Sequence, residues 1–256
     1  MNSAHNIRQI DLNCDLGEYE NLNDGHTDAA IMPYISSCNI ACGGHAGNAS
    51  VMAQSVQWAK QNQLRIGAHP SFPDRENFGR NAIDINEADL TATLKQQITS
   101  LQGICIEHGV SLSYVKPHGA LYNMAADDLD LSLLLIEVMQ SIDAELSLMG
   151  LAHSQMQLAA AQVGIPFIAE AFIDRRYTAA RRLQNRSEAG AVIHDFDAQS
   201  EQALALASGM AISSPDGQKI NISCQSLCLH GDTPQAAEAA QLINQLLIKN
   251  NIQIHA

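Results

Sequence analysis

Titratable side chains that could perform acid–base or metal chemistry follow the predicted β-strands, at the point where each strand ends. In parallel β/α folds the carboxyl ends of the strands converge on one rim, and sites are built there. We therefore expect these side chains to share one mouth: Asp15, Glu18, His45, His69, Lys116, His118, Glu170 and His230. A lone histidine at a strand end is usually a structural group, but four histidines at four strand ends favour a functional site.

Two chemistries fit this set of residues. Carboxylate and imidazole groups on neighbouring strands could bind Mg²⁺ or another divalent metal. The candidate metal ligands are Asp15, His45, His69 and His118. Without a metal, the same groups form a general acid–base set around a polarised carbonyl. The sequence has no local metal motif such as H-E-x-x-H, so either site depends on convergence in the fold.

Arginines and glycines point to anion recognition. Seven of the nine arginines fall within residues 75–80 or 175–186, and a guanidinium binds carboxylate or phosphate through paired hydrogen bonds. Arg75 and Arg175 are the candidates for this role. Gly43, Gly44 and Gly47 precede a predicted helix N-terminus, which can hold an anion. The sequence has no G-x4-G-K-[ST] motif, so an ATP site here would be unconventional.

The elements that must position these residues alternate between short apolar runs and helical stretches, which favours parallel strands with crossover helices. We predict seven strands: 10–14, 37–41, 64–68, 113–116, 146–150, 166–169 and 227–229. Capping residues predict the helix boundaries. They are starts at Asn48, Asn86, Ser154 and Thr233–Pro234, and ends at Gly109 and Gly164.

This order of elements predicts an α/β fold: a single domain over residues 1–256, built as an irregular seven-stranded β/α barrel of the TIM-like type. We prefer a barrel to an open doubly wound sheet because no glycine-rich phosphate fingerprint follows the first strand. Residues 176–225 interrupt the alternation as an irregular insertion. Within it we predict one helix at about 199–209 and a turn at 213–217 that joins two hairpin strands.

Composition limits the class of protein further. The 256 residues are 46% hydrophobic, enough for a sizeable core. Lys and Arg number 14 against 27 Asp and Glu, a net charge of −13, which argues against tight binding to nucleic acid. No apolar run has the length of a membrane span or a signal peptide, so we expect a cytoplasmic protein whose six cysteines are free thiols.

Six segments, in order, resemble the signature segments of the LamB/YcsF family: DLNCDLGE, NIACGGHAGN, GAHPSFPDRENFGR, VKPHGALYN, EAFIDRRY and LCLHGD. The resemblance runs from about Ile10 to the last helix. It implies a barrel similar to those of glycoside hydrolases and deacetylases. It also implies ATP-dependent hydrolysis of 5-oxo-L-proline (pyroglutamate) to L-glutamate, ADP and phosphate, with ATP as cofactor and with 5-oxoprolinase subunits B and C as partners.

For that reaction we assign expected roles from the chemistry. Asp15, His45, His69 and His118 would position water and move protons, Lys116 would offset negative charge developing on oxygen, and Glu170 is a candidate base. The substrate-binding candidates are Asn13, Glu18, Arg75, Arg175 and His230.

Two other functions fit the same residues. A metal-dependent deacetylase or amidohydrolase that acts without ATP would lose activity to a chelator and would ignore ATP. A non-catalytic subunit that only delivers or gates substrate would tolerate substitutions at the rim.

Overall fold

Parallel strands close into a barrel in the structure, a computed structural model that describes residues 8–231 and 235–256. The strands are β1 (Arg8–Leu16), β2 (Ser37–Ala41), β3 (Arg65–His69), β4 (Leu112–Val115), β5 (Ser147–Leu151), β6 (Phe167–Phe172), β7 (Ile212–Ser213), β8 (Lys219–Ile220), β9 (Ser226–Leu229) and β10 (Ile252–Ile254). The order β1-β2-β3-β4-β5-β6-β9 returns to β1, so seven parallel strands form a closed barrel. The predicted barrel is confirmed, with small differences at the strand ends.

Helices surround the barrel. They are α1 (His26–Ile31), α2 (Ala49–Gln61), α3 (Glu87–Glu107), α4 (Gly119–Asp127), α5 (Leu129–Ile142), α6 (Gln155–Val163), α7 (Phe196–Ala207) and α8 (Ala236–Lys249). The predicted caps Asn48, Asn86 and Ser154 each accept a backbone N–H from the first turn of their helix, and Gly164 ends α6 with a left-handed φ of 81°. Thr233–Pro234, predicted to start the last helix, lies outside the described residues.

Two elements differ from the sequence prediction. β10 follows α8 and extends the sheet beside the first residues of β1. It was not predicted, because three residues are too short to show a period. The helix expected at about 199–209 begins earlier, at Phe196, because the Asp195 side chain caps it by accepting the Ala198 N–H. The predicted hairpin is present as the antiparallel pair β7–β8.

Polar and apolar residues alternate along β1, because strand side chains alternate between two faces. In β1, Leu12, Cys14 and Leu16 belong to the main apolar core. The alternate residues Asn13 and Asp15 are also buried, and they bond to polar groups of other strands. The part of the barrel interior next to β1 is therefore a hydrogen-bonded polar network, and a small apolar cluster of Tyr114, Met149 and Ile168 lies apart from the main core.

Asn39 and Tyr114 link this network across the strands. The Asn39 amide donates to Asn13 Oδ1 and Asp15 Oδ1, both at 2.7 Å, and Tyr114 Oη donates to Asn39 Oδ1 at 2.7 Å. In the amino-terminal half of β1, Asp11 Oδ1 accepts hydrogen bonds from the hydroxyls of Ser36 and Ser37, both at 2.6 Å. The hydrogen bond from Asn39 therefore holds the Asp15 side chain in place without any ligand.

The six cysteines are free thiols, as expected, and five of them are buried. Within the described part of the chain, no helix has both the length and the apolar character needed to cross a membrane.

Gly67 leaves the space that the Tyr114 ring occupies. A Cβ at Gly67 would lie 2.1 Å from Tyr114 Cε2. We predict that Gly67→Ala lowers the free energy of unfolding by about 1–3 kcal/mol, since overpacking displaces a buried ring. Gly103→Ala is the matched control, because a Cβ there meets nothing within 4 Å. It should raise stability by about 0.5–1 kcal/mol. Urea denaturation of both variants measures this, and a neutral Gly67→Ala would contradict it.

Candidate functional site

A cavity of about 460 Å³ opens where the barrel strands end. Its walls include these predicted site residues: Asp15, Glu18, His69, Lys116, His118, Arg175 and His230. Residues 182–186 of the segment between β6 and β9 also line it, so part of the predicted insertion forms a wall of the site. Of the eight residues expected to share one mouth, six line this cavity, and His45 and Glu170 do not.

Three histidines and Glu18 form a compact cluster in this mouth. One possible ligand atom from each of Glu18, His45, His69 and His118 lies within 4.8 Å of all the others. Glu18 Oε1 is 3.1 Å from His45 Nε2, 3.4 Å from His118 Nδ1 and 3.9 Å from His69 Nε2. His118 Nδ1 and His69 Nε2 are 3.0 Å apart. The His45 and His118 rings stack at 3.7 Å with an angle of 4° between their planes.

Backbone carbonyls orient two of the rings. His69 Nδ1 lies 2.7 Å from the Lys116 carbonyl oxygen, and His118 Nε2 lies 2.9 Å from that of Phe78. A carbonyl can only accept, so each of these nitrogens donates an N–H. The other nitrogen of each ring then offers its lone pair to the cluster, and partners of this kind are what orient metal-binding histidines in proteins.

Burial keeps the imidazoles of His45 and His118 neutral. Loss of solvent, with the neighbouring His69, lowers the pKa of His45 to about 2. The same causes, together with His45, lower the pKa of His118 to about 2. Neutral imidazole is the form that binds metals.

The donor set fits a divalent cation. Ligand atoms about 2.0–2.1 Å from a tetrahedral ion lie roughly 3.3 Å apart, close to the separations given above. The structure brings together His45, His69 and His118 as expected. Glu18, rather than Asp15, supplies the carboxylate of the cluster.

Asp15 instead lies between the cluster and a buried ammonium. Its Oδ2 is 3.4 Å from His69 Nε2, and its Oδ1 is 2.8 Å from Lys116 Nζ. Burial alone would raise the pKa of Asp15, but His69 and Lys116 hold it well below its usual range. Asp15 is therefore a carboxylate at neutral pH and faces the cavity.

Lys116 lines the cavity floor, and two carboxylates match its charge. Its Nζ is 2.8 Å from Asp15 Oδ1 and 2.8 Å from Glu170 Oε1, and it lies within hydrogen-bond distance of Asn13 and Cys228. Glu170 is completely buried and also accepts from Tyr122 Oη at 2.7 Å. Neither Asn13 nor Glu170 is among the residues lining the cavity. Both contact the Lys116 ammonium on its side away from the cavity.

His230 pairs with Asp174 at another part of the cavity wall. His230 Nδ1 is 2.5 Å from Asp174 Oδ2, and the His230 ring stacks on Phe172 at 5.7 Å. His230 was expected from the sequence and Asp174 was not, although Asp174 stands in the EAFIDRRY segment just beyond β6. Only the fold shows that this carboxylate meets the histidine after β9.

The two selected arginines have different positions. Arg175 is buried in the cavity wall, where its Nη2 donates to the Gln184 carbonyl. Arg75 does not line this cavity. Its guanidinium donates to the carbonyls of Gly43 and Gly47 and pairs with Glu20, so it holds the loop after β2.

Comparisons with known proteins agree with the segments noted in the sequence. A model of the LamB/YcsF family matches residues 10–256. Proteins named as the A subunits of 5-oxoprolinase are similar to this chain. That of Haemophilus influenzae strain PittGG is 40% identical over 250 residues, 98% of this chain and 100% of that protein. That of Natranaerobius thermophilus is 39% identical over 252 residues, 97% of this chain and 96% of that protein.

A solved structure matches the whole fold. The crystal structure of a lactam utilization protein from Thermus thermophilus superposes with a TM-score of 0.90 and 31% sequence identity, covering 97% of this chain and 99% of that one.

From the geometry of the cluster we predict that the chain binds one divalent cation there. We expect calorimetric titration with Zn²⁺ to give one ion per chain, and His69→Ala or His118→Ala to weaken binding by at least about tenfold, because each removes a ligand. His194→Ala, an exposed histidine elsewhere on the chain, is the control and should bind as the wild type does. Unchanged affinity in both cluster variants would refute this site.

Lys116 makes a second prediction. We expect Lys116→Met to lower the free energy of unfolding by about 3–5 kcal/mol, because it leaves two buried carboxylates without their cation. Lys95→Met, at an exposed position on α3, should change stability by less than about 0.5 kcal/mol. Urea denaturation measures both, and equal stability of the two variants would show that Lys116 is not needed as a counterion.

Proposed function

The chain belongs to the LamB/YcsF family, and on that premise we propose that it hydrolyses the lactam bond of 5-oxo-L-proline to give L-glutamate, as one component of an ATP-consuming assembly. The names of its relatives support a role in 5-oxoproline metabolism. The observation that carries the proposal is a single cavity lined by the Glu18–His69–His118 part of the cluster, by the carboxylate of Asp15 and by arginine.

Substrate binding rests on charge and size. A cavity of about 460 Å³ accommodates a five-membered lactam with room for solvent. We assign the substrate carboxylate to Arg175, since a guanidinium matches a carboxylate in both charge and shape. The Arg75 guanidinium already bonds to loop carbonyls and to Glu20, so it is not the group that we assign to the substrate carboxylate.

Asp15 is the base that we assign to the attacking water. It faces the cavity and is ionised at neutral pH, because His69 and Lys116 stabilise its charge. A divalent cation at the cluster would polarise the lactam carbonyl and make water more acidic. Glu170, buried below the floor, supports Lys116 rather than acting as the base.

Lys116 is assigned a positioning role. An ammonium has three N–H donors, and the four neighbours named above already compete for them. It therefore has no donor left for a substrate oxygen, and its effect on the reaction passes through Asp15.

We assign ATP and its chemistry to the partner subunits B and C. The sequence lacks a P-loop, and a lactam becomes more electrophilic once its oxygen is phosphorylated. The partners would supply that activation, and this chain would carry out the addition of water and the opening of the ring.

The cation cluster also favours a second candidate, a metal-dependent deacetylase or amidohydrolase that acts without ATP. Such an enzyme needs the same histidines and carboxylates. One experiment distinguishes the two candidates. The second predicts that the isolated chain hydrolyses its substrate, that a chelator abolishes this activity and that ATP has no effect on it.

The proposal predicts glutamate release from 5-oxo-L-proline and ATP by purified subunits B and C only when this chain is added. Asp15→Asn should lower kcat about 10²–10⁴-fold with little change in KM, because it removes the base but not the substrate contacts. His194→Ala should match the wild type. If B and C, shown to be competent with the corresponding chain of a relative, released no glutamate with this chain, the proposal would fail.

A further inference from the structure

The ring nitrogen of a lactam must gain a proton when its C–N bond breaks, and the cavity contains three histidines that could be considered as the donor. They are His69, His118 and His230. The two cluster histidines are unsuited to the task. Each donates an N–H to a backbone carbonyl and points its other nitrogen at the cluster rather than at a substrate.

His230 is arranged differently. Its Nδ1 is 2.5 Å from Asp174 Oδ2, so the carboxylate holds a proton on Nδ1. Within residues 8–231 and 235–256, no hydrogen-bond partner is found for Nε2. The Phe172 ring stacks on the imidazole with an angle of 24° between their planes and limits its rotation. His230 therefore lines the cavity with one nitrogen fixed and the other available.

The surrounding charges favour the protonated ring. Burial lowers the pKa of His230, but Asp174, and after it Asp15, more than offset this, against a smaller opposing effect of Arg186. Glu18 also lies near enough for the charge of His230 to lower the pKa of Glu18, against the larger effect of burial. The net direction is a raised pKa, opposite to that of His45 and His118. Acid and base functions thus separate within one cavity.

We propose that His230 donates the proton to the leaving ring nitrogen and that Asp174 is the positioning residue that holds its imidazole in place. This inference rests on the proposed function and deepens it. His230 was expected from the sequence only to bind substrate.

Proton transfer from His230 balances the ring opening. Water adds to the lactam carbon while Asp15 takes one of its protons. In the adduct, whose original oxygen carries the phosphate supplied by the partners, the C–N bond breaks, and its electron pair goes to nitrogen, which takes the proton from His230 Nε2. An electron pair of the added hydroxyl forms the new C=O bond as its proton passes to solvent. The resulting acyl phosphate is hydrolysed by a second water to glutamate and phosphate. His230 is left neutral, with its Nδ1–H still bonded to Asp174, and regains a proton through solvent from Asp15.

The test is steady-state kinetics of the assembly of this chain with subunits B and C. We expect His230→Ala to lower kcat about 10²–10⁴-fold with KM changed by a few-fold at most. Added imidazole should restore part of the rate. His230→Gln, closer in size, should show the same loss, and unchanged Zn²⁺ binding by both variants would show that the cluster is still folded. His194→Ala is the matched control.

Asp174→Asn tests the positioning role through the pH profile. A proton donor must be protonated, so kcat falls as the pH rises through the pKa of His230. Loss of the Asp174 charge lowers that pKa, so the fall should occur at lower pH in Asp174→Asn than in the wild type. A merely structural role would lower the rate without moving this limb.

Three results would overturn the inference. They are a wild-type kcat in His230→Ala, a rise in KM alone, and an unmoved alkaline limb in Asp174→Asn. Failure of the proposed function is recognised separately, because the wild-type assembly would then form no glutamate, and the role of His230 would fall with it. An active wild type with an unaffected His230→Ala rejects only the proton donor.

Discussion

The buried ammonium of Lys116 is the interaction on which the site depends. A buried charge is tolerated only when it is matched by counter-charges and hydrogen bonds. Lys116, 1% exposed, meets Asp15 of β1 and Glu170 of β6. Its carbonyl also accepts the N–H of His69 on β3. One residue after β4 therefore fixes a carboxylate, orients a cluster histidine and ties four strands together.

The same low-dielectric interior gives neighbouring groups opposite protonation states. The His45 and His118 rings lose their charge because no carboxylate outweighs burial and the adjacent imidazole. The His230 ring favours its charge because Asp174 contacts it directly. The fold thus holds neutral ligands for a cation and an acidic imidazole in one cavity. The polar interior of the barrel makes this possible by supplying hydrogen-bond partners to buried groups, which would otherwise destabilise the fold.

The sequence predicted the parts of the structure that local signals encode. Alternation of short strands and capped helices predicted the barrel, and histidines at strand ends predicted three cluster members. The place of Glu18, rather than Asp15, in the cluster could not be predicted, because both lie near the carboxyl end of β1 and only the path of the chain decides which one joins the three histidines. The roles of Asp174 and Arg75 could not be predicted for the same reason. Asp174 pairs with His230, and Arg75 bonds to the loop after β2, and both partners come from distant segments. β10 depends on pairing with β1 rather than on its own periodicity.

The central claim is that one cavity holds a cation site and the lactam together. A crystal structure of the chain with Zn²⁺ and 5-oxo-L-proline, using anomalous scattering to locate the metal, tests this most directly. We predict one anomalous peak about 2.0–2.2 Å from Glu18 Oε1, His45 Nε2, His69 Nε2 and His118 Nδ1, with the lactam beside it and its nitrogen toward His230. A cation bound elsewhere, with the cluster atoms still in contact with one another and the lactam outside the cavity, would contradict the claim.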